Sequence, residues 1–424
     1  MNLVCKYCIK GGEKMVENAL NKCAEREARV MAAVHLETPD RVPFMPHLGN
    51  VCAMGYGISM YDAMRGDLRP VETLRSFCRD VEPDWLEMPG FIPARALELA
   101  EPINMSWATE DAPDAPFQYA DHAFIDTDQD WEDYLRDPSL YLLTRVLPEK
   151  YKGLEGLKLL SPYSLCAPMP MGLASASAPP LRAALLKLLE ITDAFAEDNK
   201  RAAMFRRVLE EEGIPSNNGH MLSPFDEFGD ALPGLVTSVM ELVEEPERYM
   251  DAVERWGAVS IPAAIRMAKM SGAKMVNIPL HMGIDEFMSP ANYEKYYWPI
   301  LRRMIDVILD AGMTPHLITE GNYNTRLEQL CDVPKGKVLY SFDRVDMKRA
   351  KEVLGGTACV MGNLPTSLLL PGGKKEKVID ETKRLIDECA PGGGYIMSCS
   401  MPLDNVDMEL VRVWKETTFT YGKY

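Results

Sequence analysis

Three features that this sequence lacks narrow the class of protein it encodes. No run approaches the ~20 consecutive apolar residues that a membrane-spanning helix needs, and charges interrupt residues 1–14, where a secretion signal needs an apolar core. Basic residues are in deficit, with 46 Lys and Arg against 63 Asp and Glu and a net charge of −17. We therefore expect a cytoplasmic protein that binds neither membranes nor nucleic acids.

Dense cysteine frameworks and nucleotide-binding signatures are also missing. Ten cysteines are scattered over 424 residues, which predicts free thiols instead of a disulfide framework. Cys5 and Cys8 form a C-x-x-C pair, but no second pair follows at zinc-ribbon spacing, so coincidence or incidental metal binding is the simpler interpretation. No P-loop signature occurs, and the triple glycine at 392–394 precedes a predicted strand instead of opening a helix. The sequence indicates no nucleotide cofactor.

The C-terminal half alternates short apolar strands with amphipathic helices, as parallel α/β proteins do. The predicted strands are 273–280, 314–319, 337–342, 358–362 and 395–399, and the helices that follow them are 290–311, 324–330, 346–354, 374–389 and 406–419. Ser289 is the predicted N-cap of the first of these helices, with Pro290 at its first position. Five consecutive units of this kind predict a parallel sheet.

The N-terminal half adds strands at 42–45, 85–88 and 157–162. The predicted helices there cover 13–33, 71–80, 181–211 and 246–270. Eight strands favour a closed (β/α)8 TIM-type barrel over an open sheet. We therefore predict one α/β barrel domain over residues 1–424, with an N-terminal helical extension over 1–40 and a loop at 166–180 that shapes the active site.

Polar residues just beyond the strand ends are the candidate catalytic residues, because this end of a barrel carries the active site. Four residues meet this description: Glu320, Asn322, Asp343 and Asn363. A carboxylate such as Glu320 in a partly dry barrel mouth can act as general base, metal ligand or cation binder. The structural alternatives are a solvated loop for Glu320 and a helix cap or turn for Asp343 and Asn363.

Candidate substrate-binding residues flank two other strands. His281 follows the strand 273–280, while Arg41 and His47 lie on either side of the first strand. Histidine suits proton transfer, and arginine suits carboxylate binding. A structural hydrogen bond or a surface ion pair is the alternative role for each of them.

Several short motifs in order resemble the uroporphyrinogen-decarboxylase superfamily, which includes corrinoid-dependent methyltransferases. They are RVPF at 41–44, DVEPDW at 80–85, EGN at 320–322, VMGN at 360–363, GGGYI at 392–396 and YGKY at 421–424. The resemblance covers nearly the whole chain. It implies the barrel fold, with a site formed by the loops at the carboxyl ends of the strands.

Two branches of this superfamily imply different chemistry. The decarboxylases hold substrate carboxylates with an arginine-rich N-terminal motif, but no further arginine follows Arg41 through residue 50. The methyltransferases bind zinc through a His-x-Cys pair and a later cysteine, and the resemblance places Ile318 and Glu320 at the pair. A rearranged zinc site made of His316, Glu320 and Cys399 is left as an alternative.

The resemblance thus implies a methyltransferase that moves a methyl group between a small substrate and a corrinoid carried by a partner protein. Two alternatives stay open. One is a decarboxylase of the uroporphyrinogen type, and the other is a corrinoid-binding or small-molecule-binding protein without catalytic activity.

Overall fold

A parallel sheet built from the second half of the chain forms the centre of the molecule. The computed structural model describes residues 6–424, with side chains from Glu17 onward. The strands are β1 (Met105–Ser106), β2 (Gln118–Tyr119), β3 (Asn218–His220), β4 (Met275–Leu280), β5 (Thr314–Thr319), β6 (Leu339–Phe342), β7 (Cys359–Met361) and β8 (Tyr395–Ile396). Strands β3 to β8 lie side by side in chain order and are parallel, whereas β1 and β2 form a separate antiparallel pair.

Two extended segments of the N-terminal half complete the ring, residues 42–45 beside β8 and residues 84–88 beside β3. Phe44 pairs in parallel with Met397. The amide of Asp84 donates to the Phe44 carbonyl at 2.8 Å. With these two segments the sheet closes into an eight-membered barrel, as predicted.

One predicted strand is wrong. Residues 157–162 were expected to be extended, but Lys152–Leu159 forms a 3-10 helix, because its leucines pack as a helical face against a neighbouring helix. The missing barrel position is filled by β3, whose sequence Asn-Gly-His carries no apolar signal. The predicted helix 324–330 is also mostly irregular, with a single 3-10 turn at Gln329–Cys331.

Helices surround the barrel, and several begin where their caps predict. They are α1 (Lys6–Val34), α2 (Val51–Met54), α3 (Met60–Met64), α4 (Arg69–Val81), α5 (Ala94–Ala100), α6 (Asp128–Arg136), α7 (Pro138–Tyr141), α8 (Leu147–Lys150), α9 (Pro162–Leu165), α10 (Pro179–Glu212), α11 (Pro224–Ala231), α12 (Gly234–Glu244), α13 (Pro246–Met270), α14 (Pro290–Asn292), α15 (Trp298–Asp310), α16 (Met347–Leu354), α17 (Lys375–Cys389) and α18 (Met408–Tyr421). The Ser289 hydroxyl accepts from the Asn292 amide at 3.2 Å and caps α14, and a π turn joins α14 to α15. Further turns are 3-10 at Pro170–Ser177 and Thr366–Leu369 and π at Leu142–Val146.

The N-terminal helix closes the bottom of the barrel, at the amino ends of the strands. The apolar row that fills this end consists of Met45, Trp85, Met275, Leu339, Cys359, Met361 and Ile396. Three residues of α1 pack against this row, namely Val30, Ala33 and Val34. The bottom of the barrel is therefore sealed by apolar contacts, and access to the interior is left to the opposite end.

Asp84 fixes the bottom of the first two barrel segments. Its fully buried carboxylate accepts from Arg29 and Arg41 at 2.7 Å each and from the Phe44 amide at 2.8 Å. Arg41 also stacks over the ring of Phe419. These contacts tie α1, both segments and α18 together.

In the part of the chain that the structure describes, each helix is too short or too polar to cross a membrane. The cysteines from Cys23 onward are free thiols, as predicted. The C-x-x-C pair at Cys5 and Cys8 lies outside the residues whose side chains are described.

Candidate active site

A row of polar side chains crosses the barrel one step above the apolar row. Along the barrel segments that contribute to both rows, a residue of this polar row lies two positions after a residue of the apolar row. Because side chains alternate along an extended segment, both residues point into the barrel. This polar row consists of His47, Glu87, Asn277, Ser341 and Ser398, with His316 of β5 in register beside Asn277. All but Glu87 are buried, and the Glu87 side chain is 34% exposed.

A chain of hydrogen bonds fixes the orientation of these groups. The Trp85 indole N–H donates to Asn218 Oδ1, so the Asn218 amide nitrogen must face Asn277 Oδ1, at 3.1 Å. The Asn277 amide nitrogen then donates to Glu87 Oε1 at 2.8 Å. Asn277 Oδ1 also lies 3.0 Å from His316 Nδ1, which must therefore carry the proton.

His316 is consequently a neutral imidazole with a free acceptor. Burial lowers its pKa to about 3, and the charge of His47 acts in the same direction. Its Nε2 has no hydrogen-bond partner, and neither does the buried Ser398 hydroxyl. Other buried polar atoms of the described residues also lack a partner, but these two both lie in the polar row, which makes this level of the barrel a functional candidate.

His47 connects the polar row across the barrel. Its Nε2 lies 2.9 Å from the Ser341 hydroxyl, its Nδ1 lies 3.7 Å from Glu87 Oε1, and its ring is parallel to that of His316 at 6.2 Å. Burial raises the pKa of Glu87, but pairing with His47 outweighs it, so that the pKa lies below its ordinary value. Glu87 therefore brings a negative charge to the polar row.

A second group of titratable residues lies at the mouth, above the polar row. Glu320 directly follows β5, and its amide donates to the Leu280 carbonyl at 2.9 Å, which places it next to His281. Partial burial raises the pKa of Glu320, and Asp226 and Asp230 raise it further, while His281 and His47 oppose them. A proton on Glu320 is therefore easier to retain than on an ordinary glutamate.

His281 is held as an imidazolium by two aspartates. Its Nε2 lies 2.9 Å from Asp230 Oδ1, and its Nδ1 lies 3.6 Å from Asp226 Oδ1. Burial alone would lower the pKa of His281, but the hydrogen bond to Asp230 and the charges of Asp226, Asp230 and Glu320 raise it to about 9. The mouth thus combines one fixed cation with a carboxyl group that can give or take a proton.

Asp226 anchors this arrangement. It is fully buried and accepts from the backbone amides of His281 and Met282 at 2.9 Å each. The hydroxyls of Tyr297 and Ser223 donate to its other oxygen, both at 2.6 Å. Because every lone-pair region of Asp226 is engaged, it acts as a rigid support for His281.

A cleft of about 380 Å³ opens onto Glu87 between the loops that follow the first two barrel segments and β8. Phe117 and Met88 supply apolar walls, and Gln118 and Asp404 supply polar ones. Its volume matches the lower end of small-molecule sites.

The structure brings three predicted residues together and leaves one far away. Glu320, His281 and His47 lie in the mouth and the polar row, close enough for both histidines to affect the carboxyl group of Glu320. Arg41 lies at the bottom of the barrel, where Asp84 holds it. The position of Arg41 at the amino end of its segment explains this, since only the carboxyl ends face the mouth.

Asn322, Asp343 and Asn363 have structural contacts of their own. Asn322 Oδ1 accepts from both nitrogens of Asn324, which closes a turn, and Asn363 Nδ2 donates to the carbonyls of Asp343 and Val345. Asp343 and Asn363 line a separate cleft of about 520 Å³ beside α17. Burial raises the pKa of Asp343, with Arg344 opposing it.

The alternative zinc ligands are not brought together. Among the residues from Glu17 onward, no three His, Cys, Asp or Glu side chains are grouped so that they could hold a metal ion. His316 Nδ1 is occupied by Asn277, and the thiol of Cys399 is buried, which raises its pKa to about 12. The set of His316, Glu320 and Cys399 therefore does not fit zinc in this conformation.

Sequence reasoning missed Glu87, Asn277 and Asp230. Asn277 is a polar residue in an otherwise apolar strand. Such a residue indicates either that the strand is assigned wrongly or that a polar side chain points into the barrel. Glu87 is a second polar residue of this kind and lies two positions after Trp85. An inspection of inward positions along each strand, in addition to strand ends, would have found both residues.

Comparison with known proteins agrees with this architecture. Residues 126–414 match the model of the uroporphyrinogen decarboxylase (URO-D) family. The chain is 27% identical over 157 residues to uroporphyrinogen decarboxylase of Syntrophotalea carbinolica, covering 37% of this chain and 44% of that protein. It is 33% identical over 157 residues to uroporphyrinogen decarboxylase of Geobacter metallireducens, covering 36% and 43%. The matched segments thus span less than half the length of these curated relatives.

A comparison with a solved structure supports the fold assignment. A methyltransferase from Methanosarcina mazei superposes with a TM-score of 0.59 at 16% identity, covering 93% of this chain and 98% of that one. At this identity the likeness concerns the fold alone, and it confirms the predicted TIM-type barrel. Since the family match extends over more than half of its residues, the chain belongs to the uroporphyrinogen decarboxylase (URO-D) family.

Proposed function

We propose that this URO-D-fold protein is a methyltransferase that moves a methyl group between a small substrate and a corrinoid carried by a partner protein. The observation that supports this proposal most is the charge of the mouth. The groups whose charges shift the pKa of Glu320 most are two aspartates and two histidines, and the guanidinium of Arg344, beside Gly321, lies within ion-pair distance of Glu286 and Asp343.

Such a mouth is poorly suited to a porphyrinogen with many carboxylates. Binding such a substrate requires guanidinium groups that pair with carboxylates bidentately. Arg41, the arginine of the N-terminal motif, is already engaged by Asp84 at the bottom of the barrel. Glu87, Asp226 and Asp230 would repel a polyanion, whereas a neutral or cationic methyl donor meets no such repulsion.

Glu320 and His281 supply the acid and base chemistry of the proposed reaction. When the bond between the methyl carbon and its heteroatom breaks, the heteroatom keeps the bonding electron pair and needs a proton or a cation nearby. Protonated Glu320 donates that proton, and it recovers one from the heteroatom in the reverse direction. His281, held as a cation, stabilises the negative charge that develops there.

The corrinoid, when bound with its partner protein, supplies the cobalt that accepts or releases the methyl group. Glu320 and His220 are exposed at the mouth, so a substrate resting on the polar row is open to a reagent presented from outside. The polar row would orient the substrate below this opening, and His316 Nε2 offers an acceptor with no partner within the protein. No step requires the zinc site that His316, Glu320 and Cys399 do not form.

The names of the curated relatives support decarboxylation as the second candidate. One pair of assays separates the two candidates. The purified chain is mixed with a reduced free corrinoid and small O-methyl, N-methyl and S-methyl donors, and the cobalt spectrum is followed; separately, carbon dioxide release from porphyrinogens is measured. Methyl transfer that depends on the chain supports the proposal. Carbon dioxide release without methyl transfer assigns decarboxylation, and ligand binding with neither reaction assigns the non-catalytic alternative.

A further inference from the structure

The cleft of about 380 Å³ that opens onto Glu87 carries two carboxylates and no basic group. Glu87 and Asp404 both line it, and the described residues of its wall include no lysine, arginine or histidine. Glu87 Oε1 accepts from Asn277, whereas Oε2 makes no hydrogen bond within the described chain. Asp404 likewise engages Oδ1 alone, which accepts from the Asn50 amide at 2.8 Å. Each carboxylate therefore keeps one oxygen for a ligand that donates hydrogen bonds.

The histidines around Glu87 do not cancel this negative charge. Three of them, His47, His316 and His220, lower the pKa of Glu87. Burial lowers the pKa of His220 and brings that of His316 to about 3, so both are neutral near neutral pH. His47 Nδ1 lies 3.7 Å from Glu87 Oε1, the oxygen that Asn277 already engages. The second oxygen of Glu87 is thus available to a cationic ligand.

The Asp404 side of the cleft is held rigidly by contacts between loops. The Leu403 amide donates to the His47 carbonyl at 3.0 Å, next to the contact between Asp404 and Asn50. Gly49, at a φ of +53°, lies so close to this loop that a β-carbon there would be 2.8 Å from Asp404 Oδ1. The carboxylate of Asp404 is therefore fixed in place before any ligand arrives.

The apolar walls of the cleft suit an organic cation. Phe117 and Met88 are partly buried against the main core and also line the cleft. The segment of Phe117 continues into β2, where the Tyr119 hydroxyl donates to the Asp230 carbonyl at 2.9 Å and anchors it across the mouth. An aromatic ring attracts an ammonium group and packs against its methylenes. A metal ion fits less well, because no three possible ligands are grouped among the residues from Glu17 onward.

The cleft and the acid-base pair lie on opposite sides of the barrel mouth. The cleft is formed by the loops after the first two barrel segments and β8, whereas His281 and Glu320 follow β4 and β5. The polar row lies between them, with Glu87 bonded to Asn277 and Asn277 to His316. A substrate lying across this row can place a cationic end beside Glu87 while its methyl group faces Glu320. The cation is then kept away from the imidazolium of His281.

We propose that this cleft is a subsite for a protonated amine at the non-reacting end of the methyl donor. Glu87 and Asp404 accept hydrogen bonds from the ammonium group, and Phe117 and Met88 cover the adjoining methylenes. An anionic donor would be repelled by the two carboxylates, and an uncharged donor would leave both without a counter-ion. Because this substrate class belongs to the proposed methyl transfer, it rests on that function.

The test is the binding of three methyl ethers of matched size to the full chain, without a corrinoid or a partner protein, followed by NMR titration. Methoxypropylamine is a cation, methoxybutane is its uncharged counterpart, and methoxypropanoate is an anion. The amine is expected to bind at least about tenfold more tightly than the uncharged ether. Glu87→Gln keeps an acceptor for Asn277 and is expected to weaken amine binding about 10–100-fold, with binding of the uncharged ether unchanged.

Gly90 provides a second variant, which fills the cleft without changing its charge. Gly90 lines the cleft outside the left-handed region of φ, and a β-carbon there would meet no atom within 4 Å. Gly90→Phe is therefore compatible with the fold and is expected to block binding of the amine. Gly356→Phe, at an equally open glycine between α16 and β7, is the matched control and is expected to bind the amine as wild type does.

The outcomes separate this subsite from the proposed function. Amine binding that is absent, that is no tighter than binding of the uncharged ether, or that either Glu87→Gln or Gly90→Phe leaves unchanged overturns the subsite and does not affect the methyl-transfer proposal. Selective amine binding that both variants weaken supports the subsite. If methyl transfer to the corrinoid is then absent, the proposed function fails and the ammonium subsite stands.

Discussion

His281 makes the electrostatics of the mouth measurable. The aspartates beside it raise its pKa from 6.5 to about 9. A histidine with a raised pKa contributes stability that is fully present below pH 6.5 and is lost as the pH rises through about 9. At about 1.36 kcal/mol for each pH unit between the two values, this contribution is about 3 kcal/mol.

The assay is a histidine NMR titration combined with thermal unfolding across this pH range. The chain has six histidines, so His281→Gln assigns the resonance by its loss. Wild type is expected to lose stability between pH 6.5 and 10 relative to His281→Gln, and Asp230→Asn is expected to lower the pKa of His281 because it removes the hydrogen-bonded charge. A His281 resonance that titrates near pH 6.5 in wild type would refute the proposed ion-paired imidazolium.

Two further predictions concern the bottom and the wall of the barrel. Asp84→Ala is expected to lower the free energy of unfolding by about 3–5 kcal/mol, because Arg41 would be left as a nearly buried cation without an ion-pair partner and Arg29 would keep only its pair with the exposed Asp40; urea unfolding checks this, and a loss below about 1 kcal/mol would contradict it. The Cys399 thiol is expected to resist iodoacetamide at pH 8 in the folded protein, since burial raises its pKa to about 12, while exposed Cys166 reacts. Mass spectrometry of the labelled peptides measures both reactions. Rapid labelling of Cys399 would contradict the prediction that its thiol is buried.

The sequence predicted those parts of the fold where local signals are strong. Helix α13 and strand β5 have the predicted bounds, because proline and glycine frame them and their apolar pattern is continuous. Strand β3 could not be predicted, since Asn-Gly-His has no strand signal and becomes extended only by pairing with β4. The leucines at 157–160 suggested a strand because a short apolar run fits the periodicity of a strand as well as that of a helix. In the structure they pack against α10 as one face of a helix.

The geometry of the candidate site was predictable at its rim but not in its interior. Glu320 and His281 follow their strands directly, and the structure places both at the mouth, where the rule for polar residues beyond strand ends puts them. Asn277, Glu87 and Asn218 come from segments far apart in the chain, and their hydrogen bonds depend on how the barrel closes. Arg41 shows the opposite error, because a position before the first strand faces the bottom and not the mouth.

The most direct test of the proposed site compares two carboxylates of neighbouring strands in the methyl-transfer assay. Glu320→Gln removes the proton donor and is expected to lower kcat by about 10²–10⁴-fold, and to abolish the fall in rate as Glu320 ionises at higher pH. Asp343→Asn, in the separate cleft beside α17, is the matched control and is expected to keep the wild-type rate. A Glu320→Gln variant that keeps full activity, with activity lost in Asp343→Asn, would contradict the account and move the reaction to the other cleft.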